Sequence, residues 1–293
     1  MRRFLGGVGR AFVALGILIL LFVAYQLWGT GLYTDREQSK LRDQFTTELR
    51  TEGSSSTSPD KPAPPPPPSG EPVAILEIPR IGVDTIVVNG VTREDLRKGP
   101  GHYPDTPLPG QAGNAAIAGH RTTYGAPFGD LDQLTPGDVI IVRTLQGTFR
   151  YRMTEQLIVA PSEVSVLDPV REDPSDPDSP LGATLTLTTC NPKYSAAQRL
   201  VIKAQLSGNE EALRAPSDLP RPQSLDEQGL SGDDDSLLPT VIAGLIAGLI
   251  GLLWWLFFHR HPRWTTWIIG AIPFGVALFF FYVFLERLLP ANY

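Results

Sequence analysis

Cysteine occurs once in this 293-residue chain, at position 190. An internal disulfide is excluded, and no zinc site can be built from cysteines. Histidine is nearly as scarce, with four copies. Positive charge never gathers into a stripe: 25 Lys and Arg against 31 Asp and Glu give a net charge of −6. Aromatic residues do not interleave with the basic ones, so composition offers nothing to a nucleic-acid partner. Long amphipathic helices are missing from the middle of the chain, which argues against a parallel α/β sheet. A lone cysteine is ordinarily a small buried apolar residue. Any chemistry at Cys190 has to be argued from its neighbours.

What the chain does have is uneven. Its ends are strongly apolar, and its middle is polar and rich in Pro and Gly. Residues 11–28 (AFVALGILILLFVAYQLW) carry no charge and are long enough to cross about 30 Å of hydrocarbon. Arg2, Arg3 and Arg10 precede them. A cleaved secretory signal has the same start, but no Ala-x-Ala-like site follows, so a retained anchor is expected. Two further spans are expected at 237–258 and 265–286. The basic connector 259–264 joins them and is too short for more than a turn. The positive-inside rule puts the N-terminus and this connector in the cytoplasm, and residues 29–236 outside the cell membrane.

Residues 29–71 read as an extracytoplasmic linker, with a short helix over Asp35 to Arg50 outside the membrane. Its proline-rich part, GSSSTSPDKPAPPPPPSG over 53–70, favours extended polyproline geometry, a semi-rigid spacer. An SH3-type ligand is the competing reading of that run. A second polar stretch, 207–236, returns the chain to the membrane.

Between the linkers, residues 72–206 have the size of one domain and a strand-rich pattern. Strands are expected over 73–78, 82–88, 114–118, 138–143, 147–154, 156–160, 183–189 and 200–206. Only 92–98 reads as a helical turn. About eight short strands separated by Gly and Pro turns indicate a mainly β fold, a closed or nearly closed barrel.

Cys190 ends the alternating run TLTLTTC, and Asn191-Pro192 stops the strand after it. The thiol is thus expected at a sheet rim. Its ordinary pKa of about 8.5 calls for a cation beside it. His120 closes another apolar run, AAIAGH, and Arg199 precedes the strand LVIKAQL. If the loop 191–198 joins adjacent antiparallel strands, Arg199 faces the end of the cysteine strand. A guanidinium there can donate two hydrogen bonds to a developing oxyanion. By composition alone, His102 competes with His120. Papain-like hydrolases fit poorly, because they place Cys at a helix start ahead of His. L,D-transpeptidases set His and Gly before the Cys, whereas Thr188-Thr189 stands here.

The segments NAAIAGHRTTYGAPFGDLDQL (114–134) and TLTLTTCNPKYSAAQRLVIKAQL (184–206) resemble the two signature blocks of sortases. The details AGHRTTYG and CNPKYS look most like class E sortases of high-GC Gram-positive bacteria. The resemblance covers 72–206 and implies an eight-stranded barrel and a cysteine transpeptidase. Cys190 would be the nucleophile, His120 the proton donor and acceptor, and Arg199 the oxyanion and substrate stabiliser. Thr189 and Tyr124 would be substrate-binding residues, with Tyr124 biasing the second motif position toward Ala. The implied partners are secreted proteins bearing a C-terminal sorting signal and, as acceptor, an amine on a peptidoglycan precursor or on a pilin. Pilin-joining sortases carry an Asp-Pro-aromatic lid motif, and none stands between Trp28 and Pro72; wall anchoring is therefore preferred. No cofactor is implied and no metal constellation is visible. The acidic stretch 172–178 reads as a solvated loop.

Overall fold

The computed structural model describes residues 2–51, 66–173, 175–176, 178–207, 212–216, 236–258 and 264–288. Most of the proline-rich spacer, most of the return linker and the basic connector 259–263 lie outside these residues. The chain forms two compact units, one holding the apolar terminal helices and one holding every strand.

In the first unit are α1 (Arg2–Ala24), α4 (Leu237–Phe258) and α5 (Trp264–Leu288). Each belongs to a helical stretch long and apolar enough to cross a membrane. α4 and α5 pack closely because small residues face large ones: a Cβ added at Gly270 would come within 2.0 Å of Trp254 Cδ1. α1 joins them through aromatic rings. Tyr25 meets Phe279 edge-on at 5.7 Å, and the Tyr282 hydroxyl donates to the Leu18 carbonyl at 2.7 Å.

The second unit begins with α2 (Thr30–Thr51), which follows the π-helical turn Tyr25–Gly29. The strands are β1 (Pro72–Ile78), β2 (Val83–Asn89), β3 (Gly101–His102), β4 (Gly113–Ala118), β5 (Val139–Thr144), β6 (Gly147–Val159), β7 (Ala183–Asn191) and β8 (Gln198–Leu206). They close into a barrel in the order β1-β2-β3-β4-β7-β8-β6-β5, with β1 pairing β5 to seal it. Period-two alternation explains the closure: Leu185, Leu187, Ile202 and Ile117 point inward into one cluster with Phe128 and Tyr151. The short helix α3 (Arg93–Lys98) starts where Thr92 and Asp95 form a reciprocal capping box.

The expected count of eight is met, but with a different division. The runs 147–154 and 156–160 form one strand, β6, with a register irregularity between Met153 and Glu155. The eighth strand is β3, two residues long, too short to leave a periodic signal. The barrel also recruits chain beyond residue 206: Leu213 is 8% exposed in the main core, and its backbone bonds to Gly110 and Ala112.

Much of the region read as a linker folds onto the barrel. The face of α2 carrying Thr30, Thr34, Gln38, Leu41 and Phe45 recurs every three or four residues, and Leu41 and Phe45 are buried with Ile75, Ile86 and Val88. Gln38 acts as a polar peg, accepting from the Ile86 amide at 2.7 Å and donating to the Lys98 carbonyl at 2.8 Å.

Candidate active site

β7 is the centre of the site. It pairs in parallel with β4 on one edge and antiparallel with β8 on the other. Cys190 is directly opposite Arg199 in the β7–β8 register. On the other edge Ala118 is opposite Thr188. The pairing runs past the end of β4, since the Gly119 amide donates to the Thr188 carbonyl at 3.1 Å and Thr189 Oγ1 donates to the Gly119 carbonyl at 2.7 Å. Continued for two residues past Ala118, this register sets the backbone of His120 level with that of Cys190, so β7, the start of β8 and the segment after β4 reach one rim.

Alternation decides which face they occupy. Leu185, Leu187 and Ile117 fill the barrel, so Thr186, Thr188 and Cys190 lie on its outer face, as do Ala116 and Ala118 on β4. Thr189 falls on the inward side. Its hydroxyl is spent on the Gly119 carbonyl, tying the cysteine strand to the histidine segment.

All three candidate residues are buried: Cys190 is 3% exposed, His120 1% and Arg199 3%. Burial lowers the local dielectric and strengthens any charge–charge or charge–dipole interaction there. Arg199 is held by its own loop, donating from Nη1 to the Ala196 carbonyl at 3.0 Å and the Gln198 carbonyl at 3.1 Å. A cation held in place before reaction need not reorganise when negative charge appears.

The sequence reading passed over Arg121. It is 4% exposed, donates from Nη1 to the Cys190 carbonyl at 2.9 Å and to Asn191 Oδ1 at 3.0 Å, and pairs with Asp132 at 3.2 Å. It therefore fastens the backbone after His120 to that of Cys190. Its position next to a candidate histidine was the one available signal. The glycine of the AGH run has a packing reason: a Cβ on Gly119 would lie 2.6 Å from the ring of the fully buried Phe128.

Tyr124 is 5% exposed, and its ring centroid lies 4.9 Å from that of His120. It sits in a tight turn where Tyr124, Gly125 and Ala126 have φ of 52°, 77° and 46°. The left-handed conformation costs a non-glycine residue on the order of 1 kcal/mol or more, so its surroundings must impose it.

Tyr103 also escaped the sequence reading. On the outer face its hydroxyl lies 3.1 Å from Thr188 Oγ1, two residues before the cysteine, and it packs with Ala116 and Val201. In the same cluster, the 3₁₀ turn Val164–Leu167 is pinned to the barrel. Asn114 donates to the Val166 carbonyl at 3.0 Å, and Lys203 Nζ donates to the same carbonyl. Burial lowers the Lys203 pKa to about 8, against the pull of Glu155 and Asp168.

His102 is not part of this rim. It is fully buried on β3, paired with Ile117, with Nε2 3.0 Å from the Pro107 carbonyl and Nδ1 3.3 Å from Asn89 Oδ1. Both of these oxygens can only accept, so the single proton of the neutral ring serves one of them at a time. Burial depresses its pKa from 6.5 to about 4. The unfolded chain therefore binds a proton in the window between these values that the folded barrel refuses. Stability is complete above pH 6.5 and falls as the pH drops toward 4, by about 3 kcal/mol at most. Thermal unfolding of the barrel at pH 7.5 and pH 4.5 should show this loss, and His102→Gln should flatten it. An equal pH slope in the variant would refute the assignment.

The barrel has relatives among known proteins. Residues 76–207 match the family model described as Sortase domain. The chain belongs to the sortase family. Sortase SrtE1 of Streptomyces coelicolor is 35% identical over 67% of this chain and 55% of its own length, so the chain spans just over half of that relative. Sortase D of Bacillus subtilis is 29% identical over 61% of this chain and 86% of its own. Among solved structures, sortase E from Streptomyces avermitilis is 39% identical, covering 50% of this chain and all of that one, with a TM-score of 0.42. Sortase E1 from S. coelicolor, solved with a tripeptide in its active site, is 35% identical over 47% of this chain and 90% of its own, with a TM-score of 0.43. The family is one of cysteine transpeptidases, and here the sortase barrel contains the chain's single cysteine.

Proposed function

We propose that this sortase is anchored in the cell membrane with its barrel outside. It would cut a C-terminal sorting motif of LAxTG or LPxTG type between Thr and Gly, and pass the protein to an amine of the cell wall. One observation carries the reading: Cys190 lies opposite Arg199 on β8, at the end of the strand whose other edge pairs with β4, two residues before His120.

In this mechanism the Cys190 thiolate attacks the Thr carbonyl and Arg199 hydrogen-bonds the resulting oxyanion. His120 gives its proton to the departing Gly nitrogen as the C–N bond breaks, leaving a thioester on Cys190. An incoming amine then attacks that carbonyl. His120 takes a proton from the amine, and the second tetrahedral adduct expels the thiolate, so no proton is lost over the cycle. Thr189 acts by tying the two strands together. Tyr124 supports His120 through ring contact.

The test is a pair of fluorogenic peptides, LAxTG and LPxTG, offered to the full chain with and without an added amine. Cleavage between Thr and Gly is expected, and amine should divert the product from free acid to amide. Cleavage elsewhere, or no amide at saturating amine, would contradict the proposal.

A further inference from the structure

The mechanism above uses α2 for nothing, yet α2 touches the histidine loop. Thr30, 2% exposed in the first turn of α2, accepts a hydrogen bond on Oγ1 from the Tyr124 amide at 3.0 Å. One turn on, Thr34 Oγ1 donates to the Arg97 carbonyl at 2.9 Å. The Arg97 guanidinium then lies 5.3 Å from the Tyr33 ring centroid and 5.5 Å from that of Tyr124. A cation between two aromatic faces is held by both. The backbones also approach closely: a Cβ added at Gly31 would meet the Gly125 nitrogen at 3.7 Å.

These contacts converge on the turn whose left-handed residues need outside support, and Tyr124 in that turn carries its ring against His120. Beside them, α2 and the same loop border a cavity of about 550 Å³ lined by Thr34, Gln38, Gly125 and Asp130. The loop has room to shift if its support is removed.

We infer that the first turns of α2, through Thr30 and Tyr33 and together with Arg97 of α3, position the Tyr124 turn and with it the His120 imidazole. The segment that leaves the apolar N-terminal helix is then a working part of the site and not a tether. This rests on the reading of His120 as the proton donor and acceptor. Thr30, Tyr33 and Arg97 are positioning residues: they act on His120 and do not meet the substrate.

The experiment uses the full chain in detergent, with Thr30→Val, Thr30→Ser, Arg97→Gln and His120→Gln measured side by side. Thr30→Val keeps the shape and removes the acceptor, and Thr30→Ser restores the acceptor. Small misplacement of a proton-transfer group costs much in rate, so Thr30→Val and Arg97→Gln should lower kcat about tenfold with KM nearly unchanged. The pH profile of kcat should shift in both, and Thr30→Ser should recover the parent rate and profile. His120→Gln separates the two claims. If it stays active, the reading of His120 fails. If it is inactive while Thr30→Val and Arg97→Gln keep the parent kcat and pH profile, this inference fails. A fall in kcat that tracks a lowered thermal midpoint, with an unmoved pH profile, also overturns it.

Discussion

Replacing Cys190 by Ala in the full chain should abolish both peptide cleavage and amide formation, a fall on the order of 10⁵–10⁶ in kcat. The barrel should survive the change. Cys190 is buried at the end of β7, and its loss removes one sulfur atom from the rim while leaving Leu185, Leu187 and the rest of the core in place. Unfolding should therefore occur close to the parent temperature, and the variant should still bind its peptide. That combination, intact fold and binding with no turnover, is what separates a nucleophile from a packing residue. Residual turnover within a factor of about ten of the parent would remove Cys190 from the mechanism.

The second large effect belongs to Arg199. Exchange for Ala should cost about 10²–10³ in kcat, the usual consequence of deleting a prearranged oxyanion donor. Exchange for Lys should rescue only part of it. Lys carries its charge and donors on one nitrogen, whereas the planar guanidinium spreads its donors over three, with Nη1 alone engaging the Ala196 and Gln198 carbonyls. If Arg199→Lys were as active as the parent, the guanidinium geometry would not matter and Arg199 would be acting only as a diffuse positive charge. Peptide KM should rise less than kcat falls, because the developing oxyanion exists in the transition state and not in the bound substrate.

Alternation and breakers made most of the barrel legible. The run ATLTLTTC announced β7, and Pro192 announced its end, because a strand of that period between turn residues has few other homes. The three apolar helices were legible from length alone. β3 was not, since two residues cannot show a period, and its place is set by its two partners, β2 and β4. The helix packing of α2 was only half legible. Asp35 to Arg50 looked helical, but its inward face is made of Thr30, Thr34 and Gln38 as well as Leu41 and Phe45, and polar pegs do not announce burial.

The candidate site shows the same division. Cys190, His120 and Arg199 were named from strand ends and from resemblance, and the pairing sets Cys190 opposite Arg199. His102 and His120 could not be told apart by composition; what separates them is that one is enclosed by Asn89 and Pro107 and the other follows the strand beside β7. Arg121 and Tyr103 were invisible because their roles depend on the Cys190 carbonyl and the Thr188 hydroxyl, which lie 69 and 85 residues further along the chain. Tyr124 was placed in the motif groove by resemblance, whereas the geometry sets it against His120 and Arg97, an arrangement only the fold could reveal.

The central claim is that the reaction passes through a thioester on Cys190. The most direct measurement is the intact mass of the full chain after brief mixing with a sorting peptide in the absence of amine, followed by peptide mapping. An added mass equal to the peptide up to and including its Thr is expected, located on Cys190 and released by hydroxylamine. Cleavage of the peptide with no adduct at any time point, or an adduct on another residue, would contradict it.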